Sequence, residues 1–195
     1  MGAATKKLGL TKFFLFGKEE DKNPILTHKR KEKNMGQYYK IVNIDKKEML
    51  VPWDFDNGAK LMEWSYQGNS IVNALYNLLK TSWKGDRVYV VGDYADIQNE
   101  ENMVEPWEET LKEVSEELGF YGKVAEKNDD YISEGYPITL YAYASKNFKN
   151  ISSEVACDGV SDGIRYIFNH KLKCYIDLAM LPVNRYGFNS WEGMN

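Results

Sequence analysis

The residue pattern of this chain points to an α+β domain: a mainly antiparallel sheet with two or three packed helices and two similar β-hairpins. Three observations lead there. Short runs of aromatic and β-branched residues, broken by turn residues, occur early and late in the chain. Two segments between them carry apolar residues at helical spacing. The chain has 195 residues, 43% hydrophobic and 28% charged, which suits one well-buried core rather than a disordered chain.

Residues 1–34 read as a basic N-terminal extension and linker. The run His28-Lys29-Arg30-Lys31-Glu32-Lys33-Asn34 is charged and aperiodic. Met35 then looks like a second start, and residues 35–195 are expected to form a single domain. Within the extension, Leu8, Leu10 and Phe13 to Phe16 form an apolar patch that needs a partner if it folds. The patch mimics a short signal peptide. However, Lys12 interrupts it and no small-residue cleavage site follows, so a cytoplasmic protein is expected.

The domain opens with Gln37-Tyr38-Tyr39-Lys40-Ile41-Val42-Asn43, a β-type run. Residues 38–44 and 48–51 flank Asp45-Lys46-Lys47, which predicts a hairpin ended by Pro52. Asp56-Asn57-Gly58 is a turn, and residues 59–64 are ambiguous. Asn69 or Ser70 can cap a helix that carries Ile71, Val72, Ala74, Leu75, Leu78 and Leu79 on its apolar positions. Residues 88–91 are an apolar run between Asp86-Arg87 and Gly92-Asp93, which predicts a buried strand. Pro106 suits the first turn of a helix over 107–118, with Trp107, Leu111, Val114 and Leu118 on its inner face and Gly119 as its stop. Residues 138–144 read as a strand, and 157–163 as turn-rich.

A second hairpin closes the series. Ile41/Ile167, Val42/Phe168, Asn43/Asn169 and Lys47/Lys173 align at a constant offset of 126 residues. Both units are strand, Asn-led basic turn, strand. Asn suits such a turn because it tolerates left-handed φ and bonds nearby backbone. The two hairpins are expected as pseudo-symmetric neighbours in one sheet; chance similarity explains the match equally well.

Several function classes lose ground at once. No apolar run reaches the roughly 20 residues of a membrane span. Cys157 and Cys174 are too few for a disulfide scaffold or a four-ligand zinc site, and are expected as free thiols. His28 and His170 are too isolated to suggest a site, and no glycine spacing cradles a phosphate. Neither a metal nor a cofactor is expected. Charge is unevenly spread. Residues 1–34 hold nine Lys/Arg and four Asp/Glu (+5), and residues 35–195 hold 16 and 25 (−9). The body would repel a phosphate backbone, so direct nucleic-acid binding is expected only through 1–34.

Two candidate sites remain. From Asp93 to Glu117 there are ten acidic residues and one Lys. On the predicted helix, Glu109, Glu113 and Glu116 share a face, with Glu105, Glu108 and Glu117 beside them. Like charges so close cost a few tenths of a kcal/mol each, a penalty that a basic partner would relieve. A solvated helix face with acids near the positive end of its dipole explains the same residues. The alternative is a strand-end site around Trp83, Asp86, Arg87, Asp93 and Tyr94, where two carboxylates could bind a cation or act as acid and base. An Asp86–Arg87 ion pair and a Gly-Asp turn explain that set equally simply.

The opening Met35-Gly36-Gln37-Tyr38-Tyr39-Lys40-Ile41-Val42-Asn43 resembles that of an uncharacterised bacterial and phage protein family. So do Trp83-Lys84-Gly85-Asp86-Arg87-Val88 with Gly92-Asp93-Tyr94-Ala95, and the late hairpin with Asn169-His170 and Tyr175-Ile176-Asp177. The resemblance covers about residues 35–182. Members often continue with a glycine-rich segment; this chain continues instead with Asn184-Arg185-Tyr186-Gly187-Phe188. The resemblance implies no known chemistry, but it implies an origin in mobile elements. The resulting expectation is a non-enzymatic interaction protein: a phage- or prophage-type inhibitor of a host defence factor. It would block a nucleic-acid-guided nuclease in the anti-CRISPR manner, through an acidic and aromatic surface that meets a basic protein partner. The alternative expectation is a small enzyme or ligand-binding domain at the strand-end site.

Overall fold

A computed structural model describes residues 37–93, 106–127, 130, 132–158, 164–170 and 173–192, with the side chains of 106–110 left aside. Among these residues the elements are β1 (Tyr39–Asn43), β2 (Glu48–Leu50), α1 (Leu61–Trp64), α2 (Ser70–Lys80), β3 (Val88–Gly92), α3 (Pro106–Glu117), α4 (Leu140–Asn147), β4 (Lys149–Asn150), β5 (Tyr166–Asn169) and β6 (Cys174–Asp177). The fold is α+β, with a four-stranded sheet in the order β3-β1-β2-β4 and a separate two-stranded sheet, β5-β6. Every pairing is antiparallel except the short parallel contact of β2 with β4.

Strand alternation splits the core in two. Tyr39, Ile41, Leu50 and Val90 project to one face, where they meet α1, α2, Trp83 and Ile176 of β6. Val42, Ile44, Met49 and Val91 project to the other, where they meet Leu111 and Val114 of α3 and Leu140, Tyr141 and Ala144 of α4. The larger sheet is thus covered on both faces. α2 starts where its cap places it, with the Asn69 side chain accepting the Ile71 N–H at 3.0 Å. Of the ambiguous residues 59–64, the last four form one helical turn, α1.

Two expectations are corrected. Residues 138–144 are not a strand but lead into α4. Their aromatic and branched content suits a strand. However, the Thr139 hydroxyl accepts the Ala142 N–H at 3.2 Å, and Leu140, Tyr141, Ala144 and Phe148 reach one core at helical spacing. The two hairpins do not share a sheet either; they face the same core from two sheets.

The turns, however, are alike. Asn43 pairs with Glu48 and Asn169 with Cys174, so both loops have four residues. Each ends on a lysine in the left-handed region, Lys47 (φ 54) and Lys173 (φ 52). The strained residue is therefore the lysine, not the asparagine. Asn43 acts through its side chain, whose Oδ1 accepts the Lys46 N–H at 3.0 Å.

Candidate functional site

The late hairpin has two apolar faces. Its inner residue Ile176 is fully buried, and Ile167, paired across from it, packs on the same core. Its outer residues are Tyr166, Phe168 and Tyr175, which are 42%, 63% and 42% exposed. Phe168 and Tyr175 are cross-strand partners with ring centroids 5.8 Å apart. Tyr166 meets Tyr175 edge-on at 5.5 Å and Phe168 at 6.3 Å. Arg165 brackets the cluster: its guanidinium lies 5.2 Å from the Tyr166 ring and pairs with Asp177 at 3.1 Å. Three aromatic rings thus stand in solvent on a ribbon whose reverse side is core. Grouped in this way, the rings offer a partner large and rigid contact area. Of the ten large exposed apolar side chains among the described residues, seven lie between Tyr166 and Phe188, so exposed apolar surface concentrates at this end.

The acidic helix lies elsewhere. Leu111 and Val114 anchor α3 to the opposite face of the large sheet, which leaves Glu113, Glu116 and Glu117 exposed. Glu105 lies outside the described residues, as do the side chains of Glu108, Glu109 and Trp107. Glu117 is already engaged. Its two oxygens accept from Arg87 at 2.7 and 2.9 Å, while Asp45 accepts from the same guanidinium at 2.6 and 2.8 Å. Hydrogen bonds from Arg87 hold the Glu117 carboxyl below the usual range. Burial pushes the Asp45 carboxyl up, but the bonds and charge of Arg87 outweigh it and bring it down. Arg87 thus ties the β1–β2 turn to the end of α3. The acidic helix and the aromatic hairpin pack on opposite faces of the large sheet, so they are two surfaces rather than one.

The strand-end residues are not brought together. Trp83 is fully buried and its indole donates to Glu48 at 2.7 Å. Asp86 accepts from the Asn43 side chain at 2.8 Å and lies 3.8 Å from Lys46. Its pairing with Arg87 does not occur; Arg87 turns to Asp45 and Glu117. Asp93 sits beyond the other end of β3 and accepts the Tyr38 N–H at 3.1 Å. Seven strand steps separate Asp86 from Asp93, roughly 23 Å. Tyr94 lies outside the described residues.

One residue with perturbed chemistry escaped the sequence reading. Lys40 is buried, donates to the Ser145 hydroxyl and stands 3.9 Å from the Tyr141 ring centroid. Burial lowers its pKa to about 8, against the pull of Asp93 in the other direction. In sequence it looks like an outward position of a one-sided strand. α4 covers that side as well, so the outward position is inside.

No group of three His, Cys, Asp or Glu residues converges among the described residues, and no disulfide joins Cys157 to Cys174. No described helix is long and apolar enough to cross a membrane. No family model, curated protein or solved structure matches the chain.

Proposed function

We propose that this chain is a non-enzymatic interaction protein of the cytoplasm, a phage- or prophage-type inhibitor that blocks a host defence factor such as a nucleic-acid-guided nuclease. The observation that carries the reading is the outer face of β5–β6, where Tyr166, Phe168 and Tyr175 are grouped and exposed. Aromatic side chains offer large contact area with little rotamer entropy and dominate protein interfaces. Charge adds the nuclease. A body of −9 repels nucleic acid and suits the basic groove of a protein that holds it. Glu113 and Glu116 supply that second contact from the opposite side. The resemblance of the opening, central and late motifs to a family of mobile elements points the same way.

The test is affinity capture from the native host with mass spectrometry of the partners. Wild-type protein should retain a basic nucleic-acid-binding protein that Phe168→Ser/Tyr175→Ser loses. Glu113→Lys/Glu116→Lys should weaken the same capture, most at low salt. Capture indifferent to all four changes but abolished by Asp86→Asn/Asp93→Asn would overturn the reading.

A further inference from the structure

We propose that the outer face of β5–β6 binds single-stranded nucleic acid, stacking bases on Tyr166, Phe168 and Tyr175 and holding phosphates with Arg165 and Lys173. The inference rests on the reading of that face as a docking surface and names what it meets: the exposed strand that a nucleic-acid-guided nuclease holds. Charge selects the occupant. Residues 164–188 hold four Lys/Arg and one Asp/Glu (+3), which leaves −12 for the rest of residues 35–195. A partner's basic groove suits Glu113 and Glu116 of α3, on the opposite face of the large sheet, but the cations of the late hairpin repel such a groove. A phosphate backbone they attract. The acidic remainder does not cancel that attraction, because surface fields fade over about 8 Å at physiological salt.

The layout of the rings fits such a ligand. The ribbon turns alternate side chains to one face, so Tyr166, Phe168 and Tyr175 stand together on strands whose reverse side is core. The platform is therefore set before anything binds. Every base has a π-face, so an exposed ring stacks on any of them. Cations flank the rings at both ends. Arg165 precedes β5, with its guanidinium against the Tyr166 ring. Its ion pair with Asp177 is largely exposed on the arginine side, so a phosphate competes for the guanidinium. Lys173 is exposed in the turn at the other end. One step beyond the Asn169–Cys174 pair, it lies five residue steps from Arg165 along the ribbon, roughly 17 Å. That length admits a short run of nucleotides. A duplex keeps its bases stacked on each other, so only a single strand offers them to the rings.

The experiment irradiates the full chain with single strands of about 12 nucleotides carrying 5-iodouracil, as RNA and as DNA, and maps the crosslinks by mass spectrometry. Crosslinks should land on Tyr166, Phe168 and Tyr175; a preference for RNA would show that the 2′-hydroxyl is read as well. The concentration giving half-maximal crosslinking at Tyr166 reports affinity at this face alone. It should rise about tenfold or more in Phe168→Ser/Tyr175→Ser, and likewise when wild type meets the matching duplex. Arg165→Gln/Lys173→Gln should also raise it, and should reduce its log–log slope against salt by roughly 1.4. All four residues are exposed, so the altered proteins should keep their melts. Crosslinks confined to residues 1–34, equal affinity for strand and duplex, or retention on phosphatidylserine vesicles with no crosslink to either nucleic acid would overturn the inference. Partner capture separates its fate from that of the function. If crosslinks miss the hairpin but capture still needs Phe168 and Tyr175, the inference fails alone. If they land on it but capture retains no nucleic-acid-binding protein, the functional reading fails alone.

Discussion

The two hairpins differ in what lies over them, not in how they are made. Both have four-residue loops ending in a left-handed lysine, and both turn a branched pair inward, Ile41 with Leu50 and Ile167 with Ile176. Outward, the first hairpin presents Val42 and Met49 to α3 and α4. The second presents Phe168 and Tyr175 to solvent. The same backbone unit therefore serves once as the middle of a layered core and once as a platform. The larger, flatter side chains at the uncovered copy suit contact with another surface better than they suit water.

The inner faces give the largest test of this comparison. Ile41→Ala and Ile176→Ala should each cost about 2–5 kcal/mol, because both delete buried methyl groups from one core. Denaturant unfolding measures this, and a negligible loss for Ile176→Ala would detach the late hairpin from the shared core.

Lys40 sharpens the first hairpin's side. Its folded pKa of about 8 lies below its ordinary 10.5, so the unfolded chain binds more protons between those values. Stability should rise with pH from about 8, and Lys40→Met should flatten the rise. Above pH 10 the trend should reverse. Burial lifts Tyr39 and Tyr89 to about 12, so only the unfolded chain ionises them there. A melt independent of pH from 7.5 to 10 would contradict the burial of Lys40.

Arg87→Gln should cost at most about 1 kcal/mol, because the cluster is partly exposed and screened. Asp45 and Glu117 have depressed folded pKa values. Their contribution is present above the ordinary carboxylate range and fades below about pH 4. The difference between wild type and Arg87→Gln in thermal melts should shrink there and in high salt.

The turns give the smallest effect. Lys47→Gly and Lys173→Gly should each shift stability by less than about 1 kcal/mol, as relief of left-handed strain offsets added chain entropy. A large loss at one lysine alone would show that the turns are not equivalent.

Local chemistry made part of this fold legible. The Asn69 cap and apolar period located α2, and the lysine-rich turns located both hairpins. Long-range context hid the rest. Thr139 and Ala144 decide for a helix only once Phe148 and the sheet are in place. The burial of Lys40 was not legible because one strand cannot reveal that helices cover both its faces. Arg87 found its partners 42 and 30 residues away rather than next door. In β5 and β6 both faces are apolar, so the repeat of the first hairpin located the strands without telling inside from outside.

Equivalent outer positions are thus sealed in the core of one hairpin and exposed on the other. Matched thermal melts test this contrast most directly. Val42→Ser/Met49→Ser should lower the melting temperature by roughly 10 °C or more, or abolish cooperative folding, as expected for two polar or truncating changes in a sealed core. Phe168→Ser/Tyr175→Ser should leave the melt within a few degrees of wild type. Equal losses from the two pairs would contradict the account, because the late face would then be part of the core.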